Sequence, residues 1–209
     1  MLKKFIEQIQ QMAIASPAAE RCGVIVDGEV IEFRNQDESP ETNFIISARD
    51  LVGLHSNDFT IWHTHTPQGF HELTPADVAI AKFIKRPVLM VRGDGAWDLY
   101  DPLITKPYLG RTWRTYHRNC YSLMQDWYKQ EWGVVLPDFY PNTPDEFTTI
   151  SPSLFLKNLE LYGFRQVAEP EKVGDVILTN EAHAQGWHCS IVTKTTPMIV
   201  CLSQWIQRP

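Results

Sequence analysis

The sequence predicts an α+β protein of two domains, and three observations lead there. The chain has 209 residues, 44% of them hydrophobic and 21% charged, a globular composition at a length that suits two compact domains. Segments of helical periodicity alternate with pairs of short apolar runs joined by Gly/Asp turns, the pattern of helices interleaved with hairpins. Charge is split unevenly: residues 1–103 carry 9 basic and 15 acidic side chains, which account for the whole net charge of −6, whereas residues 104–209 carry 10 of each. The first domain is therefore placed at 1–103, a linker at 104–112 and the second domain at 113–209.

The elements follow in order. Leu2, Phe5, Ile6, Ile9 and Ala13 recur at helical spacing and predict an amphipathic first helix. Cys22–Val26 and Val30–Phe33 flank Asp27-Gly28, a strong hairpin signal. After a polar loop from Asn35 to Asn43, Phe44–Ile46 reads as strand or turn. Phe59-Thr60-Ile61-Trp62 has strand composition and leads directly into His63. Thr74-Pro75-Ala76-Asp77 reads as a helix start with Thr74 as N-cap and Pro75 as the first helical residue, and that helix runs to Arg86. Pro87–Val91 and Ala96–Tyr100 form a second hairpin around Gly93-Asp94-Gly95. From Asp101-Pro102 periodicity disappears, and Lys106, Arg111, Arg114 and Arg118 occur with no acid among them. A helix is expected from Cys120 to Trp132, stopped by Gly133. A second is capped by Ser151-Pro152 and ends at Gly163, and Val173–Leu178, Trp187–Thr193 and Ile199–Leu202 read as strands.

Several classes are excluded. No run approaches the roughly 18 apolar residues of a membrane span. The four cysteines (Cys22, Cys120, Cys189, Cys201) are too scattered for a disulfide framework, and without a CxxC pair a cysteine zinc knuckle is out. The acidic first half argues against nucleic acid as a partner. Lys3-Lys4 resembles the start of a signal peptide, but Glu7, Gln8, Gln10 and Gln11 break the apolar core, so cytosolic synthesis without export is expected.

His63-Thr64-His65 is the most informative tripeptide. Alternate side chains of a strand share a face, so both imidazoles can approach one ion. Asp77, at the next helix start, adds a carboxylate. Two imidazoles and a carboxylate leave a fourth position for water, as in catalytic zinc sites. Glu20, just before the first strand, is available as a base. The tripeptide is equally compatible with two histidines that bind nothing.

Glu20-Arg21-Cys22-Gly23, His63-Thr64-His65 and Thr74-Pro75-Ala76-Asp77 together resemble the JAMM (MPN-type) metalloprotease signature over roughly residues 5–101. That resemblance implies an α/β domain with a mixed sheet and flanking helices, zinc held by His63, His65 and Asp77, and Glu20 as general base and proton donor. It gives Thr74 the place of a serine whose hydroxyl stabilises an oxyanion. Two departures stand out: threonine replaces that serine, and 11 residues separate His65 from Asp77 where the family usually has 10. The extra residue is expected to bulge near Gly69, and His71 is expected at the surface, the alternative being a substituted metal ligand.

In the second half, Asn119-Cys120-Tyr121-Ser122 puts a cysteine at a helix start, where exposed N–H groups and the helix dipole favour a thiolate. Arg114, Arg118 and His117 add positive potential, and His188 offers a base far along the chain. A cysteine with one later histidine is also common without catalysis. Arg118–Leu123, Asp126-Trp127-Tyr128, Leu136-Pro137, Gly174–Leu178 and Trp187-His188 resemble the NlpC-type cysteine peptidases over about residues 106–193. This implies a papain-like α+β domain with Cys120 as nucleophile and His188 as its base, acting on peptidoglycan stem peptides. The family usually carries a polar residue about a dozen positions after that base, whereas this chain has Met198–Leu202. Ser203, Gln204 or His183 are the candidate substitutes. The remaining cysteines are assigned to packing.

A JAMM half followed by an NlpC half resembles the tail-tip assembly proteins of lambda-like phages. The implied partners are other tail-tip proteins and peptidoglycan stem peptides. The implied location is the host cytoplasm during assembly and the virion tail tip. The alternative is an assembly protein that keeps both folds as binding surfaces without catalysis.

Overall fold

A computed structural model describes residues 2–54, 58–138, 158–180, 187–195 and 200–203. Its chain divides into two compact units, Met1–Ile104 and Thr105–Pro209. Both are mixtures of helix and sheet. Among the described residues no helix is long and apolar enough to cross a membrane.

The first unit runs α1 (Leu2–Ala15), β1 (Cys22–Val26), β2 (Glu29–Phe33), α2 (Ala48–Val52), β3 (Phe59–His65), α3 (Pro75–Ile84), β4 (Val88–Arg92) and β5 (Trp97–Tyr100). Its five strands form one mixed sheet in the order β2-β1-β3-β4-β5. Only β3 and β4 run parallel, and α3 supplies the crossover that a parallel pair needs. Asp27 and Gly28 both have positive φ (51° and 82°), the geometry of the tight turn that joins β1 to β2.

Side-chain alternation sorts the apolar residues onto the two faces of the sheet. Ile61, Val88 and Met90 face α3 and pack with Leu73, Val78 and Ala81. Trp62, Leu89 and Val91 face the other way and meet Ile9 of α1. The buried residues of α1 are Phe5, Ile9 and Ala13, one stripe at i, i+4, i+8. Burying Ile9 alone is worth about 1.5–3 kcal/mol. The indole N–H of Trp62 donates to the carbonyls of Val24 and Ile31, both at 3.2 Å. Gly23 permits that approach, since a Cβ there would sit 2.9 Å from Trp62 Nε1 and would clash with the Ile31 carbonyl.

In the second unit α4 (Cys120–Trp132) precedes a three-stranded antiparallel sheet, β6 (Val176–Asn180), β7 (Trp187–Lys194) and β8 (Val200–Ser203). Asn119 caps α4 through a capping box with Ser122, and Gly133 closes it in the left-handed conformation, as expected for a glycine there. Its core joins Tyr121, Met124, Trp127 and Tyr128 of α4 to Cys189 and Ile191 of β7.

Some local expectations are corrected. Phe44–Ile46 forms neither strand nor turn; Ile45 instead bonds through its carbonyl to the Gln36 N–H. The five-residue α2, capped by Ser47, has too few residues to show a period. α3 ends at Ile84 rather than Arg86, because Lys85 turns left-handed and Arg86 precedes Pro87, a position that disfavours helix. β6 begins at Val176 rather than Val173, because Gly174 has φ 92° and the Asp175 carboxylate caps a turn through the N–H groups of Glu171 and Lys172. Cys201 is exposed, not packed. The Ser151-Pro152 helix start lies outside the described residues.

Candidate functional site

The site in the first unit is assembled by register. β1 and β3 are antiparallel with Cys22 opposite His63, so extending the ladder two residues places Glu20 beside His65. The Arg21–Thr64 pair continues that ladder: Thr64 N–H donates to the Arg21 carbonyl at 2.8 Å, and Arg21 N–H donates to Thr64 Oγ1 at 2.9 Å. His63 and His65 lie on the same face as Ile61, toward α3, whose first turn carries Asp77.

All four groups are buried: Glu20 at 4% exposure, His63 at 0%, His65 at 6% and Asp77 at 5%. The two Nε2 atoms are 3.1 Å apart. Asp77 Oδ1 is 3.5 Å from His63 Nε2, and Asp77 Oδ2 is 4.0 Å from His65 Nε2. Glu20 Oε1 lies 3.9 Å from His65 Nε2. His63, His65 and Asp77 are thus a group that could hold a metal ion.

The donor chemistry fits such an ion. His65 Nδ1 is 2.7 Å from the Phe70 carbonyl. A carbonyl only accepts, so Nδ1 carries the proton and Nε2 presents a bare lone pair, as metal-ligating histidines do. Two nitrogens about 2.0 Å from a tetrahedral zinc stand about 3.3 Å apart, close to the observed separation. His63 is held by stacking on Phe44, with ring centroids 4.4 Å apart, while its buried Nδ1 has no hydrogen-bond partner among the described residues.

Asp77 is fixed by its own helix start. Thr74 N–H and Thr74 Oγ1 both donate to Asp77 Oδ2 at 2.7 Å, and Asp77 N–H returns a bond to Thr74 Oγ1 at 3.3 Å. This capping box orients the carboxylate and occupies the Thr74 hydroxyl. His71 is at the surface, 3.8 Å from Asp94, and Gly69 forms a turn by donating to the Thr66 carbonyl at 2.9 Å.

Burial sets the electrostatics. It pushes the Glu20 carboxyl up to about 8, with Asp77 and Asp37 adding to the effect. It pulls His63 down to about 4 despite the opposing Asp77 carboxylate, and His65 shifts in the same direction. Both imidazoles are therefore neutral at neutral pH, the state that binds metal.

In the second unit Cys120 is the first residue of α4 and is buried with Cys189. The Cys189 thiol and His188 both hydrogen-bond the Cys120 sulfur, and these contacts outweigh burial and hold Cys120 well below the ordinary thiol range. Cys189 moves the opposite way, as the donor of that pair. The structure thus brings Cys120 to His188 and adds Cys189, which the sequence assigned to packing alone. Nearby, Arg111 is taken up by Asp126 at 2.8 Å. His183, Gln204 and the side chain of Ser203, the candidates for orienting His188, lie outside the described residues.

Sequence reasoning gave Phe44 and Arg92 no role at the site of the first unit. Phe44 carries no periodic signal. Arg92 is a charge closing the apolar run Val88–Val91, and only the fold shows that it is buried.

The fold and the first site define an α+β protein with a buried two-histidine, one-carboxylate group suited to a metal ion. No family model matches the chain. Over 195 residues it is 24% identical to "Tail tip assembly protein K" of Escherichia phage N15, an alignment that covers 90% of this chain and 79% of that protein.

Proposed function

We propose that this chain is a phage tail-tip assembly protein with two peptide-hydrolase centres. The first unit hydrolyses an amide or isopeptide bond with zinc at His63, His65 and Asp77. The second cleaves peptidoglycan stem peptides with Cys120 as nucleophile and His188 as base. The observation that carries this reading is the convergence of His63, His65 and Asp77 in one buried cluster, with the Glu20 carboxylate 3.9 Å from His65 Nε2. The name of the phage N15 relative supports the tail-tip role, with other tail proteins as partners and a place at the virion tail tip; work in the host cytoplasm during assembly is part of the proposal.

Zinc bound there supplies a Lewis acid that polarises a carbonyl and acidifies water. Glu20 holds its proton near neutral pH without a metal; beside a bound cation it would release that proton to solvent, and its Oε1 would then take a proton from the attacking water and pass it to the leaving nitrogen. Thr74 keeps the Asp77 carboxylate aimed at the cluster. To serve an oxyanion as well, its hydroxyl must release Asp77. In the second unit the Cys120 thiolate attacks the scissile carbonyl, His188 protonates the leaving amine, and water then frees the enzyme.

A second reading is favoured by the relative's name, which concerns assembly alone, and by the apolar run Met198–Leu202 where a residue orienting His188 would fall. In it the chain assembles tails without catalysis.

Purified full-length protein, prepared without chelator, is expected to hold one zinc per chain by elemental analysis. Wild type is expected to release stem-peptide fragments from peptidoglycan, Cys120→Ala none, and Glu20→Gln as much as wild type. No zinc bound or taken up removes the metalloprotease reading. Equal inactivity of wild type and Cys120→Ala removes the second centre and leaves the assembly reading.

A further inference from the structure

We propose that Arg92 is a positioning residue of the metal centre, fixing the His65 ring through a shared acceptor, the Phe70 carbonyl. Arg92 closes β4 and pairs in register with His65 of β3. It is 5% exposed. Its guanidinium is spent on the loop that follows His65: Nη1 donates to the carbonyls of Thr66 and Phe70 at 3.4 Å and, at closer range, to Gly69, and Nη2 donates to Pro67 at 3.1 Å. Asp94 holds the other side of the fork, taking Nε at 3.2 Å and Nη2 at 3.1 Å.

Four carbonyls within five residues converge on one cation, so the loop cannot move without dismantling the set. The Phe70 carbonyl is the link, since it also accepts the His65 Nδ1–H at 2.7 Å. Arg92 therefore fixes the atom that selects the His65 tautomer and aims Nε2 at His63 and Asp77. Gly69 allows this fit, because a Cβ there would come within 3.2 Å of His65 Cβ and of the Thr66 carbonyl. The far end of the loop is pinned separately, where Leu73 N–H donates to the buried Asp98 carboxylate at 3.2 Å. The long spacer between His65 and Asp77 is thus clamped at both ends, and only the Arg92 clamp touches a histidine's own partner. Outer partners of this kind govern ligand orientation and typically change metal affinity when lost.

The inference rests on the metal reading for its affinity arm only. The full-length protein and Arg92→Lys, which keeps the charge but loses the fork, are titrated with zinc against a competing chelator, and the His65 tautomer is read by nitrogen-15 NMR in the metal-free proteins. Wild type is expected to show a single Nδ1–H tautomer at His65. Arg92→Lys is expected to show mixed tautomers and zinc affinity lower by about 10- to 100-fold. Unchanged tautomer in the variant overturns the inference, whether or not affinity falls. If wild type takes up no zinc, the metal reading fails while the tautomer comparison still decides the role of Arg92. If Arg92→Lys does not fold, Asp94→Asn, which loosens the same fork from a half-exposed position, is expected to shift the tautomer in the same direction, and no shift overturns the inference.

Discussion

His63 Nε2 and His65 Nε2 lie 3.1 Å apart at the end of β3, on one face of the strand and buried. His65 has its proton on Nδ1, so its inward nitrogen offers a lone pair. A cation between the rings, balanced by Asp77, satisfies both nitrogens. Replacing His63 or Asp77 by alanine is expected to abolish stoichiometric zinc binding while Thr74→Ser retains it, as measured by elemental analysis after dialysis.

Glu20 makes the metal-free protein sensitive to pH. Its folded carboxyl sits at about 8, above the ordinary value of 4.5. The folded state therefore holds this proton more tightly than the unfolded chain. The corresponding stability is fully present below pH 4.5 and is lost as pH rises through 8. Metal-free Glu20→Gln lacks this loss, so its melting temperature relative to wild type is expected to be higher at pH 8 than at pH 4.5. A constant difference across that window would sink the idea.

Thr74 links helix stability to the site. Thr74→Ala removes the N-cap of α3 and both the hydroxyl and the reciprocal bond that hold Asp77. Loss of such a cap costs about 1 kcal/mol, and up to about 2. Urea denaturation should show this, with Thr74→Ser close to wild type.

Gly23 has no room for a side chain. Gly23→Ala would push a methyl into the Ile31 carbonyl and the Trp62 indole, and because one is the backbone of a paired strand and the other a fully buried ring, neither can yield cheaply. A loss of about 1–3 kcal/mol is expected for such overpacking, read by chemical denaturation.

Hydrogen-bond donors hold the Cys120 thiol well below its ordinary range. Cys189→Ala removes the largest of them and His188→Ala another, so each is expected to raise the pH at which Cys120 becomes reactive. Cys189→Ser keeps a donor and should stay near wild type. The pH dependence of alkylation by iodoacetamide measures this. If Cys189→Ala leaves the profile in place, the contact does not tune the thiol.

Much of the first site was legible because its signals are local. Thr74, Pro75 and Asp77 are a helix start by residue type, and the capping box that aims Asp77 is the same device read chemically. His63 and His65 share a face because a strand has a period of two. The α2 helix was too short to show a period, and Phe44 reaches His63 from an irregular segment with no pattern at all. Cys189 looked like a small apolar strand residue, which it is, and nothing in its neighbours announces the Cys120 sulfur.

The sequence by itself determined most of the helices and strands and the residue types able to bind a metal or form a thiolate, because helix periodicity, strand alternation and turn chemistry act over a few residues; α2 and the irregular path of Phe44–Ile46 escaped it. Only the tertiary structure decided which of those residues meet. The register of β1 on β3 put Glu20 beside His65, and the parallel pairing of β3 with β4 put Arg92 under the loop that holds that ring. The packing of β7 on α4 placed Cys189 and His188 at Cys120. Long-range pairing depends on the summed burial of two apolar faces and on backbone hydrogen bonds between distant strands, and no single segment of chain carries that information.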